Sequence, residues 1–433
     1  MLSNKIKRGF LAAFAGASVF SLSLAGIAPA YAATTITVLI DNTESTSVAY
    51  KAMNIAFEKA NPTIKIKMST RPGGADGDNL IKTKLATGQM ADVFQYNTGS
   101  LFQALNPAKT LLDLSKEPWQ KTVQSSFKQT VSVGSKVYGA PYGPAMGGGI
   151  LYNKKVYASL GLKVPTTWAE FMANNAEIKD AGIAPVIQTY GDTWTSQLFV
   201  LGDFYNVQAA DPKFAVNYTN NKAKYATSAP AIKGFQYLEK LNKLGYFNSD
   251  YASAKYNDGI EKIAKGLGAH YPMLTFAIND LKVSYPDKLA DIGFFAQPGA
   301  SQAKNGLTVW TGTGVYVSAK TKAAAAAKKY VAFVASKQGT DIQTKTIGQS
   351  GPYFTSTASA PSASLPGAVK DIFKYFDVKK TGPALEFLSP IKGPNLEQIC
   401  VSIGTGQTTA LKGAALYDED VKKQAKQLGI KGW

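Results

Sequence analysis

The 433-residue chain contains one cysteine, Cys400, and one histidine, His270. A single thiol cannot close an intramolecular disulfide. One cysteine and one histidine cannot make up the ligand sets that hold structural zinc. His270 falls in the apolar run Leu267 to Leu274, where an imidazole is more readily a packed core group than an acid–base catalyst. The phosphate loop G-x-x-x-x-G-K-[ST] and the nucleophile elbow G-x-S-x-G are both missing. Gly312-Thr313-Gly314 lacks the third glycine of a dinucleotide fingerprint. Arginine is nearly absent: Arg8 and Arg71 are the two in the chain. Proteins that read nucleic acid lean on arginine, so the formal charge of +18 does not point to a nucleic-acid partner. Scattered lysines carry it (Lys65, Lys67, Lys328, Lys329, Lys422, Lys423). They read as a solvated surface, with weak attraction to an anionic envelope as the other reading. No cofactor, metal or catalytic residue is assigned, and the chain reads as a binding protein, not an enzyme. A carboxylate pair acting on a glycoside stays open as an alternative.

What is present begins with an export signature. Lys5, Lys7 and Arg8 precede an uncharged apolar stretch from Phe10 to about Ala28, and Pro29-Ala30-Tyr31-Ala32 ends in an A-x-A pattern. Residues 1–33 therefore read as a signal peptide with cleavage before Ala33; an uncleaved membrane anchor is the alternative. No cysteine stands at that junction, so a lipid anchor has no attachment point. Removing the segment's three positive charges leaves about +15. The expected location is periplasmic or extracellular.

The remaining length exceeds what one core usually accommodates, which predicts two domains. Thr35 to Ile40 is a β-branched, apolar run and reads as a buried strand. The helix predicted from Ser47 to Ala60 carries Val48, Ala52, Ile55 and Ala56 on one face, and Asn61-Pro62 stops it. Ile64, Ile66 and Met68 alternate with lysines as a half-exposed strand. A helix over 78–87 and a strand over 91–96 follow. This alternation predicts mostly parallel sheets flanked by helices. Thr167 and Glu170 have capping-box spacing at the head of a helix. Gly147-Gly148-Gly149 interrupts the chain after Pro144 and reads as a crossover or hinge candidate. The tail is predicted helical over 365–376, 395–403 and 408–428.

Aromatic residues are plentiful, with 22 Tyr and 21 Phe. Several lie beside Gly, Pro or Asn: Tyr96, Tyr142, Tyr190, Trp194, Trp310 and Tyr353. Pyranose rings present apolar C–H faces that lie flat on aromatic rings, while amides and carboxylates hold their hydroxyls. Asp41, Glu44 and Asp92 are predicted at strand ends, where open α/β sheets bind ligands.

Three segments in order carry a family resemblance: Tyr138-Gly139-Ala140-Pro141, then Tyr152-Asn153-Lys154, then Pro165-Thr166-Thr167-Trp168-Ala169-Glu170. Phe57-Glu58-Lys59-Ala60-Asn61-Pro62 and Gly88-Gln89-Met90-Ala91-Asp92-Val93 support them. The sequence resembles the extracellular solute-binding proteins of carbohydrate ABC importers, the maltose-binding-protein-like group. The resemblance implies a two-lobed periplasmic-binding-protein-like fold of type II with a multi-strand hinge. It places one lobe at 34–141 plus 305–350 and the other at 142–304 plus 351–433. It implies capture of a carbohydrate, an oligosaccharide by preference, between the lobes and delivery to membrane permease subunits by a monomer. The ligand positions it implies are Asn42, Thr43, Glu44, Tyr96, Asn97, Tyr142, Trp194, Phe276, Trp310 and Tyr353. Two departures stand out: the missing lipid-anchor cysteine, and His270-Tyr271-Pro272-Met273 in its strand. A non-sugar solute such as a polyol phosphate, needing Lys or Arg71 in the cleft in place of acids, is the second reading. A secreted glycan-binding or glycan-active protein is the third.

Overall fold

A computed structural model of the chain describes residues 33–361 and 365–433. The export segment lies outside them apart from Ala33. Two sheets organise the described residues. The first runs in the order Ile64–Arg71, Thr34–Asp41, Val93–Tyr96, Thr313–Val317, Gly139–Tyr142. The second runs Thr381–Pro383, Leu307–Trp310, Met146–Asn153, Gly268–Leu274, Ala184–Val186, with Ile292–Ala296 also paired to Met146–Asn153. Helices cover both, as the alternating pattern predicts, and each lobe has its own apolar core. Ile36, Val38, Tyr50, Phe57 and Tyr330 belong to the first. Phe171, Phe199, Phe235, Leu238 and Tyr417 belong to the second.

One strand in each sheet runs against the others: Thr313–Val317 in the first and Met146–Asn153 in the second. Each is the strand that has just crossed from the opposite lobe. The two crossings lie side by side. Thr313 pairs with Tyr142 on one bank and Trp310 with Met146 on the other. The hinge is therefore the pair of short segments 143–145 and 311–312. Gly143 has φ +77°, a conformation that disfavours a side chain. A Cβ on Gly312 would lie 2.6 Å from the Tyr142 carbonyl oxygen. The Ala145 amide donates to Pro352 O at 2.7 Å, so a third segment braces the pair.

The expected lobe limits shift accordingly. Tyr142 closes a first-lobe strand, and Leu307–Trp310 lies in the second sheet, not among the first-lobe residues 305–350. Residues after 350 stay with the first lobe for a further stretch: Phe354 O accepts from Gln124 N, and Ser359 bonds Asp341. Leu365 then packs in the second lobe.

The three successive glycines are not the hinge. They lie inside Met146–Asn153, the central strand of the second sheet. Cβ atoms there would meet Leu307 at 2.8 Å (Gly147), Trp310 at 2.3 Å (Gly148) and Phe294 at 2.6 Å (Gly149). Bulky neighbours seat directly on a bare backbone, which glycine alone permits. The Thr167–Glu170 capping box forms as expected. His270 is fully buried: its Nε2 contacts the Tyr157 hydroxyl at 2.6 Å and its Nδ1 faces the Pro185 carbonyl at 2.8 Å. Burial lowers its pKa to about 3, so it is a neutral core imidazole. Asp92 lies at the N-terminal end of its strand, away from the cleft, and knots Thr37 to Thr321.

Candidate functional site: the interlobe cleft

Between the lobes lies a cavity of about 520 Å³. Its first-lobe wall is built from the carboxyl ends of three parallel strands. These contribute Asp41 to Thr43, Arg71 to Gly74, and Gln95 with Asn97, the edge at which open α/β sheets bind ligands. The opposite wall is aromatic. Trp194 packs on Tyr256 (centroids 5.3 Å apart) and on Phe276 (6.1 Å), and Tyr256 lies 5.8 Å from Phe276. The hinge supplies Tyr142 and Trp310 at the back.

Besides Gln95, whose amide accepts from Asp41 N and donates to Thr313, five further amides line the space: Asn42, Asn97, Gln197, Asn257 and Asn279. None of these five has a side-chain hydrogen bond among the described residues. The Tyr142 hydroxyl is likewise buried without a partner among them, and burial raises its pKa well above the usual value. Six acids (Asp41, Asp78, Asp192, Asp258, Glu386, Glu397) face three cations (Arg71, Lys255, Lys392). Two of the cations are already engaged, whereas Lys255 is exposed. The Arg71 guanidinium donates to Pro72 O at 2.9 Å and lies 5.5 Å from the Tyr96 ring centroid. Lys392 pairs with Glu386 at 3.1 Å. Burial pushes the Asp78 carboxyl upward, which keeps an uncompensated negative charge costly there.

Of the ten expected positions, Asn42, Thr43, Asn97, Tyr142, Trp194, Phe276 and Trp310 line the cavity. Glu44, Tyr96 and Tyr353 do not. Glu44 points outward and accepts from Ser284 at 2.8 Å. Tyr96 is fully buried behind the wall, against Arg71. Tyr353 is enclosed in the first lobe, its hydroxyl 3.0 Å from Thr344. Tyr190 packs on Phe247 and Tyr251. Tyr256, Gln197 and Asn257 escaped notice in the sequence because nothing local sets them apart; each sits at the start of, or between, short helices.

Gly148 fixes the cleft floor through Trp310. Gly148→Ala should drive the indole off its seat and destabilise the protein by about 1–3 kcal/mol, the usual range for overpacking. A urea midpoint and the tryptophan emission spectrum measure it; an unchanged spectrum would mean that Trp310 tolerates the methyl.

The lobes meet across the mouth. The nearest indole atoms of Trp194 lie 3.4–3.5 Å from where Cβ atoms on Gly73 and Gly74 would stand. The Ala75 amide donates to the Glu397 carboxylate at 2.8 Å, and the Ser45 amide donates to Asp280 at 2.8 Å. Burial raises the pKa of both acids.

Two hinged lobes closing on a ring-walled, amide-lined cleft define a binding protein that encloses a small polar solute. The chain belongs to the bacterial extracellular solute-binding protein family, whose model matches residues 41–341. It is 29% identical over 289 residues to the multiple sugar-binding protein of Streptococcus mutans, covering 64% of this chain and 66% of that one. The chain spans between about half and just under two thirds of the length of the curated relatives it matches. Among solved structures, RafE in complex with raffinose overlays with a TM-score of 0.74 at 22% identity, covering 90% of this chain and all of that one. The apo form of RafE from Streptococcus pneumoniae overlays less well, at 0.64 with the same identity, covering 92% of this chain and 98% of that one. Among the described residues no helix is long and apolar enough to cross a membrane.

Proposed function

We propose that the chain captures a neutral oligosaccharide in this cleft and hands it, chemically intact, to the permease subunits of an ABC importer. The carrying observation is the Trp194–Tyr256–Phe276 wall facing uncommitted amides across one cavity. Flat rings take the apolar faces of pyranoses, and amides exchange hydrogen bonds with the rim hydroxyls. Both walls come from one chain, so a monomer suffices. The family model and the sugar-binding relative support this reading.

An anionic solute such as a polyol phosphate fits less well. Acids outnumber cations on the walls six to three, and of the cations Lys392 is paired and Arg71 buried, which leaves only the exposed Lys255. The helix N-termini at the cleft, the natural anion sites, already face carboxylates.

A thermal-shift screen over neutral oligosaccharides and phosphorylated polyols tests the proposal. A ligand at a hundred times its dissociation constant should add about 2.7 kcal/mol. Response to the phosphorylated polyols alone would overturn it. Thin-layer chromatography of a responding sugar after prolonged incubation should show no product; any cleavage would favour a glycan-active enzyme.

A further inference from the structure

The first lobe presents two long helices to the cleft, Glu44–Ala60 and Gly74–Thr87, and neither has a side-chain cap of its own. Thr43 and Gly73, at their N-cap positions, make no capping hydrogen bond. The Thr43 hydroxyl is spent on side chains, 2.6 Å from the Asp41 carboxylate and 2.7 Å from the Thr46 hydroxyl, and reaches no backbone amide. Gly73 has no side chain to offer. A helix start needs an acceptor for the amides of its second or third residue, and here both acceptors come from the other lobe. Asp280 takes the Ser45 amide on one oxygen at 2.8 Å and the Tyr256 hydroxyl on the other at 2.6 Å. Glu397 takes the Ala75 amide at 2.8 Å and the Thr193 hydroxyl at 2.8 Å. The arrangement is the same at both places: first-lobe amide, carboxylate, second-lobe hydroxyl.

We propose that Asp280 and Glu397 are closure latches, capping from the second lobe two helices that the first lobe leaves bare, and that they bias the empty cleft toward its closed form. Opening strips both helix starts of their acceptor and both carboxylates of their amide, so the open form carries the cost. A solute that binds the closed form then meets a larger competent population. The two residues are positioning residues for closure. The inference rests on the cleft being the solute site and holds whatever solute enters.

The test uses the full chain without solute. Glu397→Ala removes one latch from the second lobe. Ala75→Pro removes the amide from the first lobe, at a helix turn that tolerates proline. Small-angle scattering should give both variants a larger radius of gyration than the parent chain. Hydrogen exchange of the peptide around Ser45, at the other latch, should accelerate about ten- to a hundredfold in Glu397→Ala, the range for losing a charged hydrogen bond. A merely local cap would leave Ser45 unaffected. Unchanged radius in both variants, or exchange that rises around Ala75 alone, would overturn the proposal. Because no sugar is present, these outcomes are independent of the thermal-shift screen, and either reading can fail without the other.

Discussion

Replacing Asp203 by asparagine should stabilise the protein at pH 8 by about 2–4 kcal/mol and leave it little changed at pH 4. Asp203 is 2% exposed in the second-lobe core. Burial raises its carboxyl to about 7, against the partial relief of hydrogen bonds from Asn206 and Gln297 and of the charge on Lys233. The unfolded chain ionises this group near 3.8. The folded chain therefore holds its proton more tightly between about pH 4 and 7, and stability falls as pH rises through that window. Asparagine mimics the neutral acid and can keep the acceptor that Asn206 uses at 2.9 Å. Urea midpoints of parent and variant at pH 4, 6 and 8 measure the difference. A constant offset across the three would mean that Asp203 ionises at its ordinary pH within the fold.

Trp194→Ala should weaken oligosaccharide binding about a hundredfold while costing about 1 kcal/mol of stability. The indole is only partly buried. It forms one side of the aromatic wall and also touches Gly73 and Gly74 across the mouth. Its removal takes away a stacking face and a closing contact together. Titration calorimetry with a sugar that responds in the thermal screen gives the affinity. An affinity within twofold of the parent would remove Trp194 from the site. Trp194→Phe should recover part of the loss, since a ring still faces the cleft.

Much of this was legible in the sequence where the signal is local. The alternation of strand and helix over the first hundred residues, the Thr167–Glu170 capping box and the aromatics at Tyr142, Trp194 and Trp310 all follow from neighbours within a few positions, whereas Phe276 was legible only through the family resemblance. What was illegible depends on distance along the chain. Glu397 meets Ala75 across 322 positions and Asp280 meets Ser45 across 235, and no pattern around either acid marks it. The glycine run at 147–149 looked like a break because glycine disfavours strands. It is a strand because Leu307, Trp310 and Phe294 need the space. Strands Leu307–Trp310 and Thr381–Pro383 are too short for a periodicity to register. The helix Lys337–Ile347 is mostly polar and carries too few apolar positions to declare a buried face. Tyr96 and Tyr353 were expected at the ligand because they stand beside loops, yet both rings turn inward.

Two antiparallel segments joined bank to bank, and braced by Pro352, resist sliding and twisting far better than a single connector would. Motion of the lobes is thereby reduced to rotation about essentially one axis. A single distance measured across the mouth, between one spectroscopic label on each lobe, is then a sufficient coordinate for the whole conformational cycle. Any second label pair should report the same curve, merely rescaled.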